Sequence, residues 1–96
     1  MSSIERIKKQ LAHVFQEYGL DKAAVFGSYA RGEEREDSDV DLLIFSKRVF
    51  DLDTYGEFEE ALEKAAGKKV DLVFDNYINP YMKDEILKEA ISIYEQ

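Results

Sequence analysis

Residues 27–41 read Gly-Ser-Tyr-Ala-Arg-Gly-Glu-Glu-Arg-Glu-Asp-Ser-Asp-Val-Asp, a small, flexible start followed by a cluster of acidic side chains. Short apolar runs with strand character flank this stretch, so it is predicted to be a loop between two strands. Gly27 allows the backbone to turn sharply, and Ser28 is a typical helix N-cap that also offers a hydroxyl. If residues 29–31 form one helical turn, its free N–H groups make an anion site.

The acidic end of the stretch places Asp39 and Asp41 at the beginning of the second predicted strand, residues 40–45. Side chains alternate along a strand, so positions i and i+2 share a face with their Cα atoms about 6.6 Å apart. Two carboxylates placed in this way can share divalent cations. An anion-binding turn that faces such a pair predicts a site for a metal-bound nucleoside triphosphate.

The combination of Gly27-Ser28, Arg31-Gly32 and Ser38-Asp39-Val40-Asp41-Leu42 resembles the signature of the nucleotidyltransferase superfamily that includes DNA polymerase beta. The short chain is similar to its minimal branch, the MNT proteins, over nearly its whole length. In that family a third acidic residue lies on a neighbouring strand, and Asp71 supplies one here. The resemblance implies catalytic metal ligands at Asp39, Asp41 and Asp71, and nucleotide-binding residues at Gly27, Ser28 and Arg31.

The resemblance also implies a reaction at the α-phosphate of ATP. Asp39 and Asp41 would hold two magnesium ions, or manganese, that clamp the attacking and leaving oxygens, and pyrophosphate would leave. Gly27, Ser28 and the adjoining N–H groups would hold the β- and γ-phosphates. Arg31 either contacts phosphate or braces the loop by pairing with a carboxylate such as Asp39, and we favour bracing.

Minimal nucleotidyltransferases of this kind often act as antitoxins beside small all-helical HEPN toxins, which are ribonucleases, and can transfer AMP to a tyrosine on that partner. The resemblance therefore implies a protein adenylyltransferase that modifies and neutralises a HEPN toxin within a hetero-oligomer. The alternative is a non-catalytic antitoxin that neutralises its partner only by forming a complex. The presence of all three carboxylates favours activity.

The composition sets further limits on function. The chain has 96 residues and no cysteine, which excludes disulfides, thiolate chemistry and a cysteine zinc site. Twenty-one acidic and thirteen basic residues give a net charge of -8, so nucleic acid is not expected to bind this chain alone, whereas a metal-bound nucleotide is compatible. No apolar run resembles a signal peptide or a membrane span, so we expect a cytoplasmic protein without membrane contact.

Apolar periodicity predicts helices over residues 3–18, 54–66 and 80–94, with capping boxes at Ser2 and Thr54. Residues 70–74 are predicted to form a third strand, and Asp71 within this apolar run requires a reason beyond solubility, which metal binding supplies. The alternative is a carboxylate on an edge strand in contact with water. We expect one nucleotidyltransferase domain over residues 1–96, an α+β fold with a small mixed sheet flanked by helices. The topology follows from the resemblance.

Other motifs fit residues 27–41 less well. Gly27 and Gly32 have the spacing of a P-loop, but the Lys and the Ser or Thr that the P-loop requires next are replaced by Glu33 and Glu34. Asp37 and the aspartates after it resemble the start of an EF-hand loop, which then lacks its glycine and its bidentate glutamate. A solvated acidic turn is the simplest alternative, and it leaves Gly27-Ser28 and Asp71 unexplained.

Overall fold

The computed structural model describes residues 2–96, and Met1, the first residue of the predicted domain, lies outside the described residues. Within residues 2–96 the regular elements are, in chain order, α1 Ser3–Glu17, β1 Lys22–Phe26, α2 Ser28–Arg31, β2 Val40–Phe45, α3 Leu52–Ala66, β3 Val70–Phe74, a 3-10 turn at Asp75–Tyr77, α4 Pro80–Glu89 and β4 Ile91–Glu95. None of the helices in this part of the chain has the length and apolar character needed to cross a membrane.

The strands form a single mixed sheet with the order β3-β2-β1-β4. β1 runs antiparallel to β2 and to β4, whereas β2 and β3 run parallel because α3 carries the chain back between them. The predicted α+β fold with a small mixed sheet is therefore confirmed. β2, which carries Asp41, lies between two neighbours, and β3 is an edge strand.

α1 and α3 cover one face of the sheet, and the core lies between these two helices and the sheet. The apolar stripe of α1 packs against the alternate residues of β1 and β2 that point to this face, as the helical periodicity predicted. The fully buried side chains of greatest volume are Phe15, Phe58, Leu11, Leu20, Leu42, Leu43, Ile44, Leu62, Ile93, Val25 and Val40. Of these, Leu43 belongs to the opposite face, which also carries Asp41.

The helix starts show one correct prediction and one error. Ser2 caps α1, because its hydroxyl accepts a hydrogen bond from the Glu5 amide at 3.1 Å. The predicted start of the second long helix at Thr54 is wrong: α3 begins at Leu52, and Asp51 is its N-cap. The Asp51 carboxylate accepts from the Thr54 amide at 2.7 Å and so satisfies an N–H group that the first turn leaves free.

The predicted helix over residues 80–94 is also wrong in its last five residues. α4 ends at Glu89, and residues Ile91–Glu95 form β4 beside β1. The alternation of isoleucine with Ser92 is typical of a strand, but the same residues also match helical spacing. Pairing with β1 decides between them, since it buries Ile93 to 2% exposure and leaves Ile91 at 38%. No residue of α4 itself is buried.

Candidate functional site

The turn after β1 is built around Gly27. Its φ of 71° and ψ of -146° reverse the chain between β1 and α2, a backbone conformation that favours glycine. Ser28 was predicted to be the helix N-cap, and this is wrong: Gly27 holds the cap position and Ser28 is the first helical residue. Tyr29, only 5% exposed, anchors the four-residue helix α2 in the core. The turn thus places the Ser28 hydroxyl and the first N–H groups of α2 at the end of β1.

The loop after α2 is closed by local hydrogen bonds that lead the chain into β2. The Ser38 hydroxyl accepts from the Arg35 amide at 2.8 Å, and the Ser38 amide donates to the Arg35 carbonyl at 3.0 Å. The Lys68 ammonium group donates to the carbonyl oxygen of Glu36, which ties the loop to the start of β3. Asp39 follows this turn and directly precedes β2, where it is exposed.

Asp41 and Asp71 are neighbours across the sheet. They are register partners in the parallel pair of β2 and β3, so their side chains leave the same face. Phe26, the residue before Gly27, is the register partner of Asp41 on its other side. Asp71 is exposed on the edge strand β3, so burial gives no reason for a metal at this position. Its position beside Asp41 is the relevant observation.

The environment of Asp41 disfavours its charged form. Partial burial, the largest cause, together with the negative charge of Asp71 and a hydrogen bond shared with it, raises the pKa of this carboxyl to about 6. Asp39 contributes to the same effect, whereas the positive charge of Arg31 opposes it. Asp41 therefore lies where a bound cation would remove an electrostatic cost.

The three predicted metal ligands are not equally placed. Asp41 and Asp71 are adjacent, and Asp39 lies at the entrance of β2, close enough to act on the charge of Asp41. Among residues 2–96, however, no three His, Cys, Asp or Glu side chains are arranged as a ligand set. The donor chemistry fits magnesium, which prefers carboxylate oxygens and completes its shell with water and substrate phosphates.

Gly27 and Asp41 are in direct contact. A Cβ atom added at Gly27 would overlap Oδ2 of Asp41, so a larger residue cannot occupy the turn without moving the carboxylate. The predicted anion-binding turn and the predicted metal ligands are therefore parts of one site. Glycine is required here for the positive φ and for the close approach.

Arg31 is held by carboxylates other than the one suggested from the sequence. Its Nε donates to Glu33 at 2.7 Å and its Nη1 donates to Glu89 at 2.9 Å, whereas the suggested partner was Asp39. The hydrogen bond to Glu33 is the largest cause that raises the pKa of the guanidinium, and the hydrogen bond to Glu89 is the next largest. This arrangement favours bracing over direct phosphate contact.

Glu89 is a residue of the site that the sequence did not indicate. Besides pairing with Arg31, its carboxylate accepts a hydrogen bond from the Gly27 amide at 3.1 Å. The hydrogen bonds from Arg31 and from the Gly27 amide lower the pKa of Glu89. In the sequence, Glu89 is only one acidic residue within an apolar helical pattern. Because the helix was predicted to continue to residue 94, the sequence did not show that Glu89 lies at a helix end.

A comparison with known families identifies the fold and its lineage. The sequence profile described as "Polymerase beta, Nucleotidyltransferase" matches residues 9–96. This chain belongs to that nucleotidyltransferase family. The predicted resemblance is thus confirmed.

Individual relatives support the same assignment. This nucleotidyltransferase is 37% identical over 86 residues to the protein adenylyltransferase MntA of Thermococcus cleftensis, a match that covers 90% of this chain and 84% of the relative. A chain of a solved toxin–antitoxin complex with AMP-PNP has a TM-score of 0.81 at 19% identity, covering 93% of this chain and 73% of that one. A chain from a complex of tri-AMPylated Shewanella oneidensis HEPN toxin with MNT antitoxin has a TM-score of 0.73 at 16% identity, covering 94% and 71%. The fold prediction is therefore confirmed by structure as well as by sequence.

Proposed function

We propose that this nucleotidyltransferase is a metal-dependent protein adenylyltransferase that moves AMP from ATP to a HEPN-type toxin and so acts as its antitoxin. The observation that carries the proposal is the contact between the Gly27 turn and Asp41, with Asp71 beside it. This contact joins groups that bind phosphate to groups that bind a divalent cation. The sequence relationship to a protein adenylyltransferase supports the choice of reaction within the family.

The turn residues would bind the triphosphate. The Ser28 hydroxyl and the amides of the first turn of α2 can donate to phosphate oxygens, because the first N–H groups of a helix have no partner inside it. The Gly27 amide already donates a hydrogen bond to Glu89, so it is not free to bind phosphate as the sequence predicted. The amides that follow Gly27 would bind the phosphate oxygens instead. Arg31 would hold the turn in place.

The carboxylates would serve the reacting end of the nucleotide. Asp39, Asp41 and Asp71 would hold Mg²⁺, which supplies charge neutralisation for the triphosphate and for the oxygen that attacks it. Asp71, exposed on the edge strand, can accept the proton of an approaching hydroxyl. Asp41, partly buried next to Gly27, would hold the cation close to the turn.

The acceptor is proposed to be a hydroxyl on a helical partner protein. Two solved complexes of the same fold contain a toxin, and in one of them the HEPN toxin carries AMP. A partner that is bound and silenced without modification is the competing possibility. A covalent-label experiment separates the two.

We would incubate the chain and a candidate HEPN-type partner protein with Mg²⁺ and ATP labelled at either the α- or the γ-phosphate. Label from the α-phosphate should appear on the partner, and label from the γ-phosphate should not. Intact mass should rise by one or more AMP groups. A partner that is silenced but gains no mass would establish the binding-only alternative.

Asp71→Asn is the informative variant for this experiment. It should keep metal-dependent nucleotide binding and lose transfer, because Asp71 lies on a separate strand and acts mainly on the attacking side. Asp53→Asn, an exposed aspartate in the first turn of α3, is the matched control and should transfer at the wild-type rate. Transfer by Asp71→Asn at the wild-type rate would make Asp71 a structural carboxylate.

A further inference from the structure

We propose that Glu89 is a positioning residue that sets the nucleotide-binding turn against the catalytic carboxylates, an inference that rests on the proposed function. Glu89 is the last residue of α4, and its two carboxylate oxygens have different partners. Oε1 accepts from the Gly27 amide at 3.1 Å, and Oε2 accepts from Nη1 of Arg31 at 2.9 Å. The two partners lie at the N-cap and at the last residue of α2.

The short helix α2 needs such an external support. A single turn is unstable in isolation, because several residues must be ordered for one hydrogen bond. Tyr29 holds α2 from the core side, where it is 5% exposed. Glu89 holds α2 through contacts with both of its ends. The orientation of the Ser28 hydroxyl between these ends therefore depends on both contacts.

The position of Glu89 is set by the sheet. Ile91, two residues later, is the register partner of Val25 in the pair of β4 and β1, and Gly27 lies two residues after Val25. Antiparallel pairing thus brings the end of α4 beside the turn that leaves β1. Since Gly27 also contacts Asp41, a displacement of the turn changes its distance from the carboxylates.

The charge balance is consistent with a permanent contact. Arg31 and the Gly27 amide lower the pKa of Glu89, so its carboxylate stays ionised at neutral pH. Arg31 pairs with both Glu89 and Glu33, so its positive charge offsets part of the negative charge that these carboxylates place near the turn. A carboxylate that merely occupied the phosphate position would instead have to leave before the nucleotide could bind.

The test compares Glu89→Ala, Glu89→Gln and the control Glu85→Ala, which removes an exposed glutamate of the same helix that pairs with Lys88. Calorimetry with ATP and Mg²⁺ should show about a tenfold or greater loss of affinity in Glu89→Ala, the scale expected when a charge-assisted hydrogen bond no longer fixes the site. Glu89→Gln, which keeps one acceptor for the Gly27 amide, should give an intermediate affinity. Glu85→Ala should match the wild type.

Hydrogen exchange of the Gly27 amide gives a second readout that does not require activity. It should accelerate in Glu89→Ala and remain slow in the Glu85→Ala control, with similar thermal unfolding of both proteins. If Glu89→Ala does not fold, Glu89→Gln carries the comparison, and a wild-type affinity in it would refute the positioning role.

The outcomes separate this inference from the proposed function. Failure of the wild type to bind ATP with Mg²⁺ would overturn the proposed function and, with it, the role assigned to Glu89, even if the exchange result showed the contact. Wild-type binding with equal affinity in Glu89→Ala would overturn the positioning role alone. Tighter binding in Glu89→Ala would also overturn it and make Glu89 a competitor of phosphate.

Discussion

Gly27 is the residue at which the binding turn and the carboxylates meet. Its positive φ and its contact with Asp41 are separate requirements, and the chain offers a way to measure each. Gly32 ends α2 with a φ of 72° but has no atom near the place where a Cβ would lie. Alanine at Gly32 therefore measures backbone strain without overlap, whereas alanine at Gly27 adds the overlap with Asp41.

Gly32→Ala is expected to reduce the free energy of unfolding by about 1 kcal/mol, the usual cost of a left-handed conformation for an L-residue. Gly27→Ala should cost roughly 2 to 4 kcal/mol, because a less permissive backbone region and the overlap with Asp41 Oδ2 are added. It should also abolish nucleotide binding. Urea denaturation measures both variants, and equal losses would show that the contact with Asp41 relaxes freely.

Asp41 is expected to lower the stability of the metal-free protein at neutral pH. Its pKa is about 6 in the folded protein against an ordinary value of 3.8, so folding favours its protonated form. The stabilisation from the bound proton is complete below the unfolded pKa and is lost as pH rises through about 6. Asp51 and Glu89, whose pKa values are lowered, act in the opposite direction.

Asp41→Asn should therefore be more stable than the wild type in EDTA at pH 7, and the difference should vanish near pH 4. The full gap between the two pKa values of Asp41 corresponds to about 3 kcal/mol. Because the group is partly exposed, we expect a gain on the order of 1 kcal/mol. Denaturation at several pH values, with exposed Asp39→Asn as a nearly neutral control, measures this, and a loss of stability at pH 7 would contradict the assigned environment.

At the scale of elements, β4 is the feature that most changes the site. It pairs with β1 and thereby brings the end of α4 to the Gly27 turn. As a helix, residues 80–94 would have buried Ile91 and left Ile93 outside the apolar stripe. In the strand that these residues form, Ile93 is the buried residue, at 2% exposure, and Ile91 is the exposed one.

Ile93→Ala is expected to cost about 2 to 4 kcal/mol of unfolding free energy, as for other large aliphatic side chains removed from a core. Ile91→Ala, at a position 38% exposed, should cost less than about 1 kcal/mol. The two substitutions remove the same atoms, so the comparison controls for side-chain size. A larger loss at Ile91 would favour a continuous helix.

At the scale of the whole molecule, charge governs what can approach the site. The net charge of -8 and the acidic cluster repel a free triphosphate, since both carry negative charge. ATP should therefore bind only with Mg²⁺ or Mn²⁺, and calorimetry in EDTA should show no binding. The double variant Asp39→Asn/Asp41→Asn should lose metal-dependent affinity. Equal affinity in EDTA would contradict the metal assignment.

The sequence alone predicted the candidate site and most of its supporting elements. Gly27, Asp39 and Asp41 lie within one short stretch, where a turn residue and a two-residue strand period act locally. The amphipathic pattern of α1 and the apolar runs of the inner strands were equally local. Asp71 was placed by resemblance, and the register of β2 with β3 put it beside Asp41.

The tertiary structure decided the end of α4, the edge position of Asp71 and the partners of Arg31. The apolar residues after Glu89 satisfy helical and strand spacing alike, and the unpaired edge of β1 selected the strand because pairing there satisfies backbone hydrogen bonds and buries Ile93. This strand pairing places Glu89 beside the Gly27 amide, although the two residues are 62 positions apart in the sequence. Contacts of this length depend on how strands pair in space, which local residue patterns do not encode.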